Sequence, residues 1–390
     1  MKEMGQKFIV ATPMRGVCDN NARALENVGA LRFLALGTRR GTAGIPPERT
    51  RLNPLIGLAT YIAARSLSQF RAETFRFGLL PWFDRWVRPQ LHPGDHIISS
   101  YGYTNGCFAW VREHGGKTFL DGGNSHPENY WNVLAEEYAR WGCSLDPMPR
   151  NWFERSKAMM PLVDYVLSPS SYVTKSFLTR GFRPDQILQN IYPLDLSCFS
   201  PRATPRDESQ PLTIISTGAP SLRKGTPYLL DAFRIIRKAC PNARLLLNDA
   251  VHDSLRPILG RWNDLPIEWM PSLPHRELAE RLRGADIFVL PSLEEGLART
   301  ALEAMACGLP IVVTDHTGAN DFVTAGENGE VVPLRDAQAI ADACLKFAPL
   351  ILNGKLIPNS REWLRPFDFG YFSREFLRQL RILNVIPSEN

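Results

Sequence analysis

Glu295 and Glu303 stand eight residues apart in PSLEEGLARTALEAMACGLPIVVT, Pro291 to Thr314. With one carboxylate in a loop and the other in a helix, the two can flank a single ligand without sharing a helical turn. Carboxylates suit sugar hydroxyls, which donate hydrogen bonds to a charged acceptor. The helix that opens at Thr300 turns its first backbone N–H groups toward the same place, and such an end favours an anion such as phosphate. The competing reading is a solvated pair on a surface helix, because two glutamates at one spacing recur by chance. His126, in DGGNSHPENY after an apolar run, is ambiguous in the same way. A lone histidine near a loop is more often a packed or capping residue than a catalytic one. Arg15 and Gly16, in the loop after the first apolar run, are placed to approach a ligand.

The elements that must position these groups are legible. Ile287 to Leu290 is apolar without alternation, which suits a parallel strand covered on both faces, and Pro291 ends it. Thr300 to Cys307 holds good helix formers, Gly308 stops the helix, Pro310 follows, and Ile311 to Val313 is the next strand. Strand, loop, helix and strand make a βαβ unit, and open α/β sheets gather ligands at the carboxyl ends of their strands. The chain begins in the same way, with Phe8 to Ala11, a helix over Ala22 to Leu25 and a strand over Leu31 to Leu36. His96 to Ser100 and Lys117 to Leu120 read as further strands. Pro201 to Pro211, rich in proline and charge, reads as a linker, and Leu212 to Ser216 starts a second α/β unit.

The 390 residues allow two or three domains, and the apolar and charged fractions are those of a globular protein. Seven scattered cysteines without a CxxC pair argue for a reducing cytoplasm and against a zinc site or a disulfide framework. The start lacks an apolar run of signal-peptide length, and no run approaches a membrane span. Net charge is +5, and the stretch from Arg39 to Arg88 accounts for the surplus, with nine arginines against Glu48, Glu73 and Asp84. Phe70, Phe75, Phe77, Trp82, Phe83 and Trp86 are interleaved with them. No nucleic-acid motif accompanies the pattern, so nucleic acid is not an expected partner. It suits either an anionic membrane leaflet or a core of aromatics beneath a solvated arginine face.

Taken whole, Pro291 to Thr314 resembles the nucleotide-sugar site of family 4 glycosyltransferases, whose E-x7-E motif runs into an Ala-Met-Ala-Cys-Gly-x-Pro helix end. The stretch TGAPSLRKGTPYLL resembles the family's phosphate loop, with Gly218, Lys224 and Gly225 matching. Ala219 stands where the family commonly has arginine, and Arg223 or Arg299 is the candidate replacement. Asn248 and Asp249 stand where relatives usually have a Gly-x-Gly turn. His126 resembles the family histidine near the donor sugar, whereas Glu136 and Glu137 of the following helix read as solvent-facing.

The resemblance implies an α/β protein of GT-B architecture, two Rossmann-like domains with the site in the cleft between them. Residues 1–200 would form the acceptor side and 211–360 the donor side, with a helix over about 365–390 crossing back. It implies a retaining glycosyltransferase in which Arg223, Lys224 and the Thr300 helix end hold the diphosphate. Glu303 would take ribose hydroxyls and Glu295 a donor-sugar hydroxyl. No cofactor and no metal are implied. The expected partners are a nucleotide-sugar donor and a glycan or lipid-linked acceptor, with peripheral membrane contact through residues 39–88 of a cytoplasmic protein. A non-catalytic nucleotide-sugar or glycan-binding protein of this fold is the alternative, as is a phosphorylase or epimerase. Ala219 and Asn248 favour the non-catalytic reading, and Lys224, Glu295 and Glu303 oppose it.

Overall fold

The computed structural model describes residues 6–13, 18–37, 44–204, 206–207, 209–352 and 361–387. Two parallel sheets organise them. The first contains β1 (Phe8–Thr12), β2 (Leu31–Leu36), β3 (Thr50–Leu52), β4 (His96–Ser100), β5 (Thr118–Asp121), β6 (Tyr165–Ser168) and β7 (Ile187–Gln189). Their order is β3-β2-β1-β4-β5-β6-β7. The second contains β8 (Thr213–Ile215), β9 (Arg244–Asn248), β10 (Ile267–Met270), β11 (Ile287–Leu290), β12 (Ile311–Thr314) and β13 (Gly329–Val332), in the order β10-β9-β8-β11-β12-β13. Each sheet reverses its winding once, between β1 and β4 and between β8 and β11. A crevice at the carboxyl ends is open at such a point.

The sequence forms these strands because both faces are covered: every residue of β1 and of β11 is buried. The Arg299–Ala306 helix joins β11 to β12, one residue earlier at each end than its composition predicts. The Phe369–Ile382 helix is capped by Asp368, which accepts the Tyr371 N–H at 2.9 Å. It buries Phe372, Phe376, Leu377 and Leu380 in one cluster with Phe8, Leu25 and Leu34 of the first domain. Each such side chain contributes about 2 kcal/mol when removed from water. A charge at Phe376 would therefore strip the helix from its seat.

The segment that reads as a linker is pinned at one point. Arg206 pairs at 2.7 Å with Asp286, which is almost fully buried and also accepts the Thr213 N–H at 2.9 Å. Glu137 corrects the sequence reading more sharply. It is fully buried, accepting from Trp141 Nε1 (2.7 Å) and Tyr228 Oη (2.8 Å) and pairing with Arg335 Nε (2.7 Å). Tyr228 and Arg335 belong to the second domain, so Glu137 couples the two halves. Glu136, one position along the helix, does stand exposed, with 60% of its side chain accessible.

Candidate functional site

The loop after β11 is held from three sides. The Glu295 N–H donates to the His316 carbonyl and the Ala298 N–H to the Thr317 carbonyl, each at 2.9 Å, which ties it to the loop after β12. The Leu293 N–H donates to the Arg223 carbonyl at 2.9 Å, joining it to the basic loop after β8. From the first domain, the Ser125 N–H donates to Glu294 Oε1 at 3.0 Å and Ser170 Oγ to the Gly296 carbonyl at 2.6 Å. Two glycines make these approaches possible. A Cβ on Gly296 would lie 2.0 Å from the Gly123 carbonyl oxygen. One on Gly225, whose φ is +65°, would lie 2.0 Å from that of Pro291.

The charged groups gather around Glu295. Arg223 Nη1 lies 2.8 Å and Lys224 Nζ 2.5 Å from Glu295 Oε1, and Arg223 Nη1 also donates to the Glu294 carbonyl at 2.9 Å. Burial alone would raise the Glu295 carboxyl, but Arg223 and then Lys224 outweigh it and hold it down to about 2. Glu294, its neighbour, is fully buried. Burial dominates there and pushes that carboxyl up to about 7, against the pull of Arg223. Of two adjacent glutamates, Glu295 is therefore ionised at neutral pH while Glu294 titrates near it.

Two cavities border this cluster. One, about 290 Å³, has Ala219, Arg223, Lys224 and Glu295 on the second domain's side. Facing them are Phe70, Glu73, Arg76 and Phe77 of the Gln69–Gly78 helix, with Tyr130 and Trp152. Phe77 and Trp152 stack with their centroids 4.4 Å apart. The other, about 670 Å³, is lined by Gly218, Asn248, Arg299, Thr300 and Glu303, with Gly123 and Tyr192 from the first domain. Glu303 is buried, and burial raises its carboxyl against Arg299 and His275. No side chain caps the Arg299–Ala306 helix, so its N-terminus is open toward a ligand.

The residues singled out in the sequence therefore divide. Gly218, Arg299, Thr300 and Glu303 share the larger cavity, and Arg223, Lys224 and Glu295 share the smaller one. His126 lines neither. Its Nδ1 accepts the Glu128 N–H at 3.3 Å, capping the Pro127–Arg140 helix, and its ring meets Phe177 and Phe182 edge-on. Burial pushes its imidazole down to about 4, which leaves a neutral cap at pH 7. Gly16 lies outside the described residues.

Two participants, Glu294 and Arg76, are not visible in the sequence, and a third, Asn248, is visible only as a departure from the family pattern. Glu294 is hidden by its neighbour, which carries the motif spacing. Asn248 accepts the Gly218 N–H at 2.8 Å, so the side chain that replaces a glycine turn braces the phosphate-type loop. Arg76 arrives from the arginine-rich segment, and nothing local in its sequence marks it. Its Nε is buried with no hydrogen-bond partner among the described residues, and it lines the same cavity as Ala219.

Residues 211–348 match the family model described as glycosyl transferases group 1. This part of the chain is a glycosyl transferases group 1 domain. Among curated relatives, the amylovoran biosynthesis glycosyltransferase AmsK of Erwinia amylovora is 30% identical over 149 residues, 36% of each chain. The phosphatidyl-myo-inositol mannosyltransferase of Mycobacterium leprae is 26% identical over 159 residues, 40% of this chain and 42% of that one. This chain spans about half the length of the first curated relatives it matches. The fold likeness runs the full length. Sucrose-phosphate synthase from Thermosynechococcus elongatus superposes with a TM-score of 0.67 at 20% identity, over 97% of this chain and 99% of that one. Anabaena HepE, solved with UDP and glucose, superposes with a TM-score of 0.63 at 13% identity, over 96% and 99%. The two-sheet arrangement is the GT-B fold.

Proposed function

We propose that this chain transfers a sugar from a nucleotide-sugar donor to a glycan or lipid-linked acceptor, with retention of anomeric configuration. The observation that carries the reading is the pairing of Arg223 and Lys224 with Glu295, beside a cavity holding Glu303 and an open helix end. Nucleotide and sugar call for different groups, and the two cavities supply them. The larger has the size and the carboxylate for a nucleoside, with Glu303 accepting from ribose hydroxyls. The smaller combines cations with aromatic faces, which suits a sugar joined to phosphate. A relative named for amylovoran biosynthesis and one named as a phosphatidyl-myo-inositol mannosyltransferase support this class of acceptor.

In the transfer, the bond from the sugar's anomeric carbon to the diphosphate oxygen breaks and its electron pair leaves with the phosphate. The acceptor oxygen bonds to the same carbon on the same face, and its proton passes to the departing phosphate. Positive groups fixed before the reaction lower the energy of the charge that develops. Arg223 and Lys224 supply that charge, and Glu295, fully ionised, accepts from a donor-sugar hydroxyl. Arg76 contributes a third cation opposite Ala219. The stacked rings of Phe77 and Trp152 help exclude water, which favours transfer over hydrolysis. No cofactor or metal takes part in this reading, so chelation by EDTA leaves turnover unchanged.

The test is release of nucleoside diphosphate from nucleotide sugars in the presence of glycan acceptors, using wild type, Lys224→Ala and Glu303→Ala. Turnover by wild type and its loss in both variants, with circular dichroism unchanged, supports the reading. Equal turnover in all three places the chemistry elsewhere.

A further inference from the structure

The helix Pro54–Ser66 is turned inside out. Its sequence, PLIGLATYIAARS, is largely apolar and contains no acid, yet only Ile56 and Ala63 are buried. Leu55, Leu58, Tyr61 and Ile62 are 76%, 56%, 54% and 53% exposed. Leu55, Leu58 and Ile62 follow the i, i+3, i+7 spacing that places side chains on one helical face, and Tyr61 borders it. Leu67, Phe75 of the Gln69–Gly78 helix and Trp82 of the Leu80–Val87 helix are exposed as well. An exposed apolar helix face of this kind marks an interaction site.

The surrounding charge identifies its occupant. Arg65, Arg71 and Arg85 are exposed and form no ion pair among the described residues, and Arg65 lies over the Tyr61 ring at 4.5 Å. The acids from Pro54 to Arg88 are turned elsewhere: Asp84 is buried and accepts the N–H groups of Gly106 and Cys107, and Glu73 lines the smaller cavity. In a symmetric contact between two copies of the chain, the same unpaired arginines would meet like charge. At an anionic bilayer, the apolar face enters the acyl boundary while lipid phosphates pair with the arginines.

We infer that the helix Pro54–Ser66, with Trp82 and Arg65, Arg71 and Arg85, seats this protein on an anionic lipid leaflet. The helix lies in the plane of the surface, and no helix among the described residues is long and apolar enough to cross a membrane. This corrects the sequence reading in detail. Phe77 and Phe83 are core and Phe70 and Trp86 half-buried, so aliphatic residues of the preceding helix supply most of the surface. The adjoining Gln69–Gly78 helix walls the smaller cavity, so the lipid seat and the site share one helical hairpin.

The experiment is co-sedimentation of the full chain with phosphatidylcholine vesicles, with and without phosphatidylglycerol, at low and high salt. Wild type should bind the anionic vesicles, and salt should weaken the binding. Leu58→Glu with Ile62→Glu should abolish it, with thermal stability retained because both residues are exposed. Reversing Arg65, Arg71 and Arg85 to Glu should weaken it by about a hundredfold or more. Val331→Glu, on a strand of the second sheet, should bind as wild type does. The inference is overturned if wild type binds no anionic vesicles at low salt, or binds neutral ones equally well. It is also overturned if the Leu58 and Ile62 double variant still binds. Self-association that this variant abolishes, without vesicle binding, would assign the face to a second copy of the chain instead. None of these outcomes depends on sugar transfer.

Discussion

Replacing Glu294 with glutamine should favour stability more at pH 8.5 than at pH 5. The Glu294 carboxyl titrates near 7 in the folded protein against an ordinary value of 4.5. Between those values the folded state binds the proton that the unfolded state has released, so stability falls as pH rises through the window. The contribution is fully present below 4.5 and is lost once pH passes about 7. At 1.36 kcal/mol per unit, the whole window is worth about 3 kcal/mol. Glu295 acts in the opposite sense at a separate pH, because its carboxyl is held near 2. Its stabilisation is present above 4.5 and is lost as pH falls toward 2. The amide introduced by Glu294→Gln would keep the oxygen that accepts the Ser125 N–H and carry no titrating proton. Buried neutral histidines such as His96 and His126 titrate in both proteins and cancel in the difference. The variant should therefore match or trail wild type at pH 5 and exceed it at pH 8.5. For cooperative units of roughly 150–250 residues, the change in the gap is about 6–12 °C in Tm. Differential scanning fluorimetry of both proteins at the two pH values reads it directly. A gap that does not change with pH would refute the assignment of a protonated Glu294.

Two further outcomes follow from the geometry. Glu137→Ala removes the buried carboxylate that Tyr228 and Trp141 donate to and leaves the half-buried Arg335 with Glu136 alone, so chemical denaturation should show a loss of about 1–3 kcal/mol. An unchanged midpoint would remove Glu137 as the coupling between domains. Arg76→Gln should weaken binding of whichever nucleoside diphosphate wild type takes by about 10–100-fold, the worth of one charged hydrogen bond, read by calorimetry. Equal affinity would leave Arg223 and Lys224 as the cations that answer for Ala219.

How far the sequence is legible depends on the range of the interaction. β11, the loop after it and the Arg299–Ala306 helix can be read because apolar runs, Pro291, Gly308 and the glutamate spacing are all local signals. The basic loop is legible for the same reason, although its ion pairs with Glu295 are not, since Arg223 and Glu295 meet only once β8 and β11 lie side by side. Glu137 reads as solvent-facing because its partners Tyr228 and Arg335 lie far along the chain. The outward helix Pro54–Ser66 is hidden by an assumption that usually holds: an apolar stripe faces a core. Only the fold shows that Leu58 and Ile62 stand exposed.

Everything proposed about catalysis requires that the larger cavity and the Glu295 cluster hold a nucleotide sugar. Thermal shift against UDP, GDP, ADP and their common sugar conjugates is the sharpest check, because a ligand that binds only the folded state raises apparent stability by mass action. A marked preference for one nucleotide, lost in Lys224→Ala and Glu303→Ala, is the expected outcome. No shift with any of them, in a folded protein, would overturn the donor site and favour a protein of this fold that no longer binds a nucleotide donor.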